Sequence, residues 1–269
     1  MSNSFFAGPL PHRVAHRGAT DANRLDENTF DAFNLALEQG ATHLETDVRA
    51  TKDGHAVIFH DPTLTRLTTS STLPVVTARI EDLTWQELEQ ISLARGGRVM
   101  TLRQLFEAFP DAKFNIDIKS RLAIEPTAAV LAEVGRQGQI LITSFSDSRR
   151  RKTLKLLAER GLFVNTSGGA GLLLRSYLTH ATLSLVSSKL AGWAVSRILK
   201  DVDALQIPAR RGPLKFDSPA YMKAVREAGK HLHFWVINDP EHARVLVSHG
   251  ATGIVTDDLP AITPAIKQD

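Results

Sequence analysis

No cysteine occurs in the 269 residues. Disulfides, thiolate zinc sites and cysteine nucleophiles are therefore excluded, and any bound metal must be held by oxygen or imidazole. Long apolar runs are missing too. The longest uncharged greasy stretch, Ser176–Ser188, has 13 residues, short of the roughly 20 that span a bilayer. Residues 1–11 lack a basic region followed by an apolar one, so no secretory signal is expected and a cytoplasmic protein is the default. A strong charge of one sign is also absent, the net being +3. With no arginine-rich strip interleaved with aromatics, nucleic acid is not an expected partner. The charge is uneven: residues 1–110 carry 10 Lys/Arg against 14 Asp/Glu, leaving 22 against 15 for the rest. That mild basic excess suits an anionic small molecule, or at most a peripheral membrane contact.

What is present is enough for a real core, 43% of the chain being hydrophobic and 23% charged, and we expect one domain over 1–269. One unit recurs: an amphipathic helix, a glycine, then a short apolar strand, as at Leu35–Gly40 before His43–Val48 and at Val245–Gly250 before Gly253–Thr256. Glycine suits the left-handed position just past a helix end. Strands are expected at 12–17, 43–48, 113–118, 139–144, 162–166, 203–207, 232–237 and 253–257. A ninth apolar run, 55–59, follows Asp53-Gly54 too closely for a crossover, so it reads as the return arm of a hairpin. Eight alternating units in about 250 residues predict an α/β fold, a (β/α)8 TIM barrel. Residues 62–100 interrupt the pattern as a small insertion over the catalytic face, with a helix at Thr84–Ile91 capped by Thr84 and Glu87.

Side-chain parity gives the barrel an inner face. Val14 and His16 share a side of the first strand; His43, Glu45 and Asp47 share one side of the second, opposite Leu44 and Val48. Asn115, Asp117 and Lys119 lie opposite Ile116 and Ile118, and His233 and Trp235 opposite Phe234 and Val236. Polar groups gathering at the C-terminal ends of strands mark a barrel active site.

Three groups there carry chemistry. In His16-Arg17-Gly18 the imidazole can move protons, the guanidinium can fork onto phosphate, and glycine admits a close approach; a histidine merely bonded to a loop carbonyl is an equally open reading. Glu45-x-Asp47 puts two acids on one inward face. A hard cation such as Mg2+ or Ca2+ relieves their repulsion, and so does an internal salt bridge. Asp117-x-Lys119 adds a third carboxylate and a cation to the same face. His60-Asp61 ends the hairpin arm and returns a second histidine to the mouth, unless it is an ordinary surface histidine. Two histidines flanking a phosphate make an acid–base pair.

These segments resemble the glycerophosphodiester phosphodiesterase family: "HRG", Glu27-Asn28-Thr29, "ETDVRATKDG" at 45–54, "HDPTLTRLT" at 60–68, "NIDIK" at 115–119, Ser144-Phe145, "WVIN" at 235–238 and "GIVTDDLP" at 253–260. The resemblance runs in order through residues 12–263 and implies a phosphodiester hydrolase on a TIM barrel. It implies divalent metal at Glu45, Asp47 and Asp117, acid–base roles for His16 and His60, and phosphate contacts from Arg17 and Lys119. Glu27 would position its neighbours, beside an Asn28 helix cap. The cation would be Mg2+ or Ca2+, with Mn2+ a third option. The family's usual glutamate at the third ligand position is Asp117 here, one methylene shorter. The stretch 167–215 matches no family block.

Other features read as structural. Gly168–Gly171 is a flexible loop rather than a phosphate cradle, and Arg149–Lys152 a solvated helix face. Leu172–Leu199 packs as helices on the core, and Trp235 is a pocket wall. His12, His43, His55, His180, His231, His242 and His249 have no supporting neighbours. The main expectation is metal-dependent hydrolysis of a glycerophosphodiester, a small-molecule substrate, to glycerol 3-phosphate and an alcohol. The alternatives are a lysophospholipase D-like hydrolase of lysophospholipids, its greasy mouth built from 62–100 and 172–199, and a non-catalytic phosphate-binding module.

Overall fold

Residues 5–20, 25–68 and 77–267 are described by the computed structural model. Along the chain the elements are β1 (His12–His16), α1 (Phe30–Glu38), β2 (His43–Ala50), β3 (Ala56–Ile58), α2 (Trp85–Leu88), α3 (Leu102–Ala108), β4 (Phe114–Ile118), α4 (Ile124–Val134), β5 (Ile140–Thr143), α5 (Asp147–Glu159), β6 (Asn165–Gly168), α6 (Ala170–Leu183) and α7 (Ser188–Ile198). There follow β7 (Ala204–Pro208), the two-residue strands β8 (Arg210–Arg211) and β9 (Leu214–Lys215), α8 (Pro219–Glu227), β10 (His231–Trp235), α9 (Pro240–Ser248), β11 (Gly253–Thr256) and α10 (Leu259–Ile266).

The parallel strands pair in the order β1-β11-β10-β7-β6-β5-β4-β2, and β2 closes back on β1. This is the expected eight-stranded barrel. β3 lies antiparallel on the outer half of β2, so the 55–59 run is indeed a hairpin arm. Parity holds as well. Leu44, Val48, Ile116 and Ile118 are buried in the layer between strands and helices, and Leu232 and Phe234 do the same on the far side. Their alternates point to the barrel axis.

Local chemistry fixes the joints that matter to the mouth. Thr29, not Asn28, caps α1, its hydroxyl accepting from the Ala32 amide. Asn28 instead adopts φ +58° and turns its side chain inward. The sixth strand falls at 165–168 rather than 162–166. Its glycine decides this: a Cβ on Gly168 would stand 2.8 Å from the Leu172 side chain and 3.0 Å from that of Leu205, so only glycine lets α6 start so close to the wall. In the insertion Thr84 and Glu87 form the expected capping box, although the helix ends at Leu88. Leu64, Ile80, Leu83, Leu88, Leu93 and Val99 make a small core against Val57 and Phe59 of the hairpin, which holds the insertion at the catalytic end.

Candidate active site

Register sets the first relationships. His16 pairs with Glu45 across β1–β2, Glu45 with Asn115 and Asp47 with Asp117 across β2–β4. The strand ends thus bring His16, Glu45, Asp47 and Asp117 side by side from segments about a hundred residues apart. They open on a cavity of about 1060 Å³ that is also lined by Arg17, His60, Asn115, Lys119, Phe145 and Trp235. Of the expected site residues only Glu27 is outside this lining. It stands just behind, accepting from Arg17 at 3.0 Å.

The charges interlock. Asp47 is buried, accepts from Asn28 Nδ2 at 3.1 Å, and is ion-paired with Arg17 Nε at 3.0 Å and Lys119 Nζ at 2.8 Å. Asn28 is held in turn by the Thr46 hydroxyl. Lys119 also reaches Asp117 at 2.7 Å, so one ammonium bridges two strands. Burial acts to raise the pKa of Asp47, but Lys119 and Arg17 outweigh it and hold the group below the usual range. Glu45 and Asp117 move the other way. Burial pushes both up, and the neighbouring Asp47 charge adds to it. Burial also works against the charge of Lys119, yet Asp47 and Asp117 hold it firmly protonated.

The two histidines are built alike. His16 Nδ1 lies 2.7 Å from Asp257 Oδ1, and Asn238 holds the other oxygen of that carboxylate at 2.9 Å. His60 Nδ1 lies 2.6 Å from Asp61 Oδ1, and Asp61 is tied by Arg66, which also bridges to Glu27. In each ring the carboxylate engages Nδ1 and leaves Nε2 for other work. Burial opposes the charged form of His16, but Asp257 and Glu45 carry its pKa above the ordinary value. Burial prevails at His60 and lowers it.

Hard oxygen donors dominate here. Asp117 Oδ1 and Asn115 Oδ1 are buried with no hydrogen-bond partner among the described residues. A set of buried carboxylates in which desolvation and then the Asp47 charge push Glu45 and Asp117 up fits a divalent cation of the Mg2+ or Ca2+ kind. A second potential metal group sits elsewhere. His12, His231 and His233 offer ring nitrogens all within 4.8 Å of one another. They stand at the opposite, N-terminal end of the barrel, beside His43 and under Phe5 and Phe6. The expectation that His12, His43 and His231 lack supporting neighbours is therefore wrong. Each opens its strand, and parallel pairing stacks them on one floor.

Other expectations change too. Gly168–Gly171 is not a flexible loop. Asp147 accepts from the amides of Gly169 and Leu172 at 3.1 and 3.0 Å, which fixes the junction. Arg150 is not solvated but buried against Thr166 and Asp147. No described residue of 62–100 lines the cavity, and of 172–199 only Leu173 and Leu174 do. The rest of the rim is Arg210, Arg211, Pro213, Leu214 and Phe216, from the β8–β9 hairpin. Phe145 meets Trp235 edge to face at 5.7 Å with Lys119 Nζ 5.4 Å from its centroid, so Trp235 is a wall of the cavity as expected.

Residues 16–261 match the Glycerophosphoryl diester phosphodiesterase family. The chain belongs to this family. It is 38% identical over 244 residues to a probable glycerophosphodiester phosphodiesterase 2 of Mycobacterium tuberculosis, covering 91% of this chain and 86% of that one. Among solved structures it is similar to a glycerophosphodiester phosphodiesterase of Thermotoga maritima, at 26% identity and TM-score 0.68, covering 96% of this chain and 99% of that one. An Oleispira antarctica phosphodiesterase in complex with sn-glycerol-3-phosphate shares the fold, at TM-score 0.72 and 22% identity, with 95% and 96% of the two chains covered.

Proposed function

We propose that this protein hydrolyses glycerophosphodiesters to glycerol 3-phosphate and an alcohol, with His16 and His60 as the acid–base pair. The observation that carries this reading is the pair of imidazole–carboxylate couples, His16–Asp257 and His60–Asp61, opening on one cavity that also holds Arg17 and Lys119. Family membership and the M. tuberculosis relative support it.

Arg17 offers a planar fork and Lys119 a point charge to the phosphate. Glu27 and Asp47 hold the Arg17 fork, and Asp47 and Asp117 hold the Lys119 ammonium. The attacking oxygen, a water or the glycerol 2-hydroxyl, gives its proton to one imidazole; the other protonates the departing alkoxide. His60, biased toward the neutral form, suits the base, and His16, biased toward the charged form, suits the acid. With the 2-hydroxyl as attacker the first product is a cyclic phosphate, which water then opens. Glu45, Asp47 and Asp117 would hold one divalent cation, Mg2+, Ca2+ or Mn2+, which supplies a Lewis acid for a non-bridging phosphate oxygen.

Trp235 and Phe145 form an aromatic wall for the alcohol portion, and Leu173, Leu174, Leu214 and Phe216 give the rim an apolar side. That side supports a second reading, a lysophospholipase D-like activity. A human lysophospholipase D is 36% identical over 123 residues, 41% of this chain and 37% of that one. Turnover of glycerophosphocholine against a long-chain lysophosphatidylcholine, crossed with the three cations, separates the two. His16→Ala and His60→Ala should each abolish turnover while the thermal unfolding curve stays in place. Near-normal turnover by either variant would remove that residue from the mechanism, and phosphate binding without product under every cation would return the non-catalytic module.

A further inference from the structure

Residues 160–200 contain Arg160, Arg175, Lys189, Arg197 and Lys200 and not one Asp or Glu. Apart from the cavity-lining residues 168–171, 173 and 174, the catalytic reading makes no use of this acid-free stretch, most of which folds into α6 and α7. The two helices pack on each other. The start of α6 (Leu172, Arg175) and the end of α7 (Arg197, Ile198) line the same groove beside α5, so they run antiparallel and the turn at 184–187 stands away from the barrel. Their inner faces are well packed: Leu173 and Val195 join the barrel–helix core, and Ser176 is hydrogen-bonded to Tyr221 at 2.7 Å.

The outer side is unusual for water. At the turn Leu185 is 87% and Val186 81% exposed, and on α7 Trp193 is 62% exposed. On α6 Leu174 and Leu178 are also exposed and, four residues apart, share one face of the helix. Leu174 is in the wall of the catalytic cavity. Exposed apolar groups therefore occur at the rim of the cavity, along α6 and at the projecting tip. Single exposed leucines mean little, but a group of them on a protruding element marks a contact surface. Cations border it: Arg175 follows Leu174, Lys189 precedes the exposed Leu190, and Arg197 lies one turn beyond Trp193. Beside them Phe163, 72% exposed, stands in the α5 groove, where Arg151, Lys155 and Lys200 outnumber the one acid of the lining, Asp201. Apolar and indole groups on a protruding hairpin that carries Arg175, Lys189 and Arg197 and no acid of its own complement the interface of an anionic bilayer.

We propose that the α6–α7 hairpin docks the protein on an anionic lipid surface. Leu185, Val186 and Trp193 enter the interface, while Lys189, Arg197 and Arg175 meet lipid phosphates. Attachment is peripheral, since no helix of the described residues is long and apolar enough to cross a membrane. The cavity rim is then held close to the surface. The inference stands independently of which diester is cleaved.

Flotation with lipid vesicles tests it. The full chain should float with phosphatidylcholine vesicles containing phosphatidylglycerol, not with pure phosphatidylcholine, and added salt should release it. The triple variant Leu185→Ser, Val186→Ser, Trp193→Ala and the double variant Lys189→Glu, Arg197→Glu should each lower the bound fraction by about tenfold. All these side chains are exposed, so the thermal unfolding midpoint should not move. Equal binding by wild type and both variants, or equal binding to neutral vesicles, overturns the proposal. So does a concentration-dependent dimer in sedimentation that the tip variant dissolves while vesicle binding is nil; the face would then be a contact between copies.

Discussion

Asp257 and His16 meet at 2.7 Å across 241 residues of chain, because β1 and β11 are neighbours in the closed barrel. The carboxylate faces Nδ1, which fixes the tautomer and leaves Nε2 toward the cavity. Together with Glu45 it also outweighs the burial that lowers the pKa of the imidazole. Asp257 is on this reading a positioning residue for the acid. Asp257→Asn should lower kcat by about a hundredfold with little change in KM. It should also move the alkaline limb of the pH–rate profile to lower pH, because Glu45 alone then opposes the burial of His16. A purely structural role would shift the unfolding midpoint and leave the profile in place.

Removing the cation tests the carboxylate set. Treatment with EDTA should abolish turnover, and Mg2+, Ca2+ or Mn2+ should restore it to different extents. Asp117→Ala removes a candidate ligand and one partner of Lys119, while Asp47 still holds that ammonium. The cation concentration for half-maximal activity should rise by about tenfold or more. Full activity in EDTA would remove metal from the mechanism and leave Arg17 and Lys119 as the phosphate's only counter-charges.

Acid should unfold this protein through its floor. Burial and the neighbouring imidazoles lower the pKa of His12 to about 4 and of His43 to about 3. His233 is held well below the ordinary value by the same causes. These groups are neutral when folded and take up protons when unfolded. Their contribution is complete above the unfolded value of about 6.5 and is lost as pH falls from there toward 4. Each can cost up to about 1.4 kcal/mol per pH unit in that window. Urea unfolding at pH 7.5 and pH 5 measures the slope, and His43→Gln should flatten it. A stability independent of pH between 7 and 5 would contradict this account.

The barrel and most of the candidate site are legible in the sequence because both rest on period-2 alternation. Leu44 and Val48 must face the helices, so Glu45 and Asp47 cannot. What alternation does not show is who stands beside whom. Asp257 reads as one more acid in a loop that would repel phosphate; only closure of β11 on β1 makes it the partner of His16. Arg66 lies in the insertion, and nothing in the pattern gives it a role, yet it ties Asp61 to Glu27. The histidine floor has its signal in position, since His12, His43 and His231 are each the first residue of a strand. The misplaced sixth strand has the opposite cause. Leu162 and Val164 are apolar because they pack on the outer layer, while the strand itself, Asn165–Gly168, is small and polar and looks like a loop.

Gly18, directly after His16 and Arg17, gives a test of how tightly the catalytic turn is packed. Its φ is +90°, and a Cβ there would lie 2.7 Å from the Ala32 backbone of α1. Gly54, in the turn between β2 and β3, has a similar φ of +85° but nothing within 4 Å of the added atom. Both alanine variants incur the backbone strain, about 1–2 kcal/mol. Only Gly18→Ala also forces α1 away, for about another 1–3 kcal/mol. Gly18→Ala should therefore lose more than Gly54→Ala in urea unfolding. It should also lose turnover, because Arg17 and Asn28 exchange a backbone hydrogen bond at that turn and both side chains hold Asp47. Equal stability losses in the two variants would mean that α1 gives way freely, and the tight packing of the turn would have no part in setting the site.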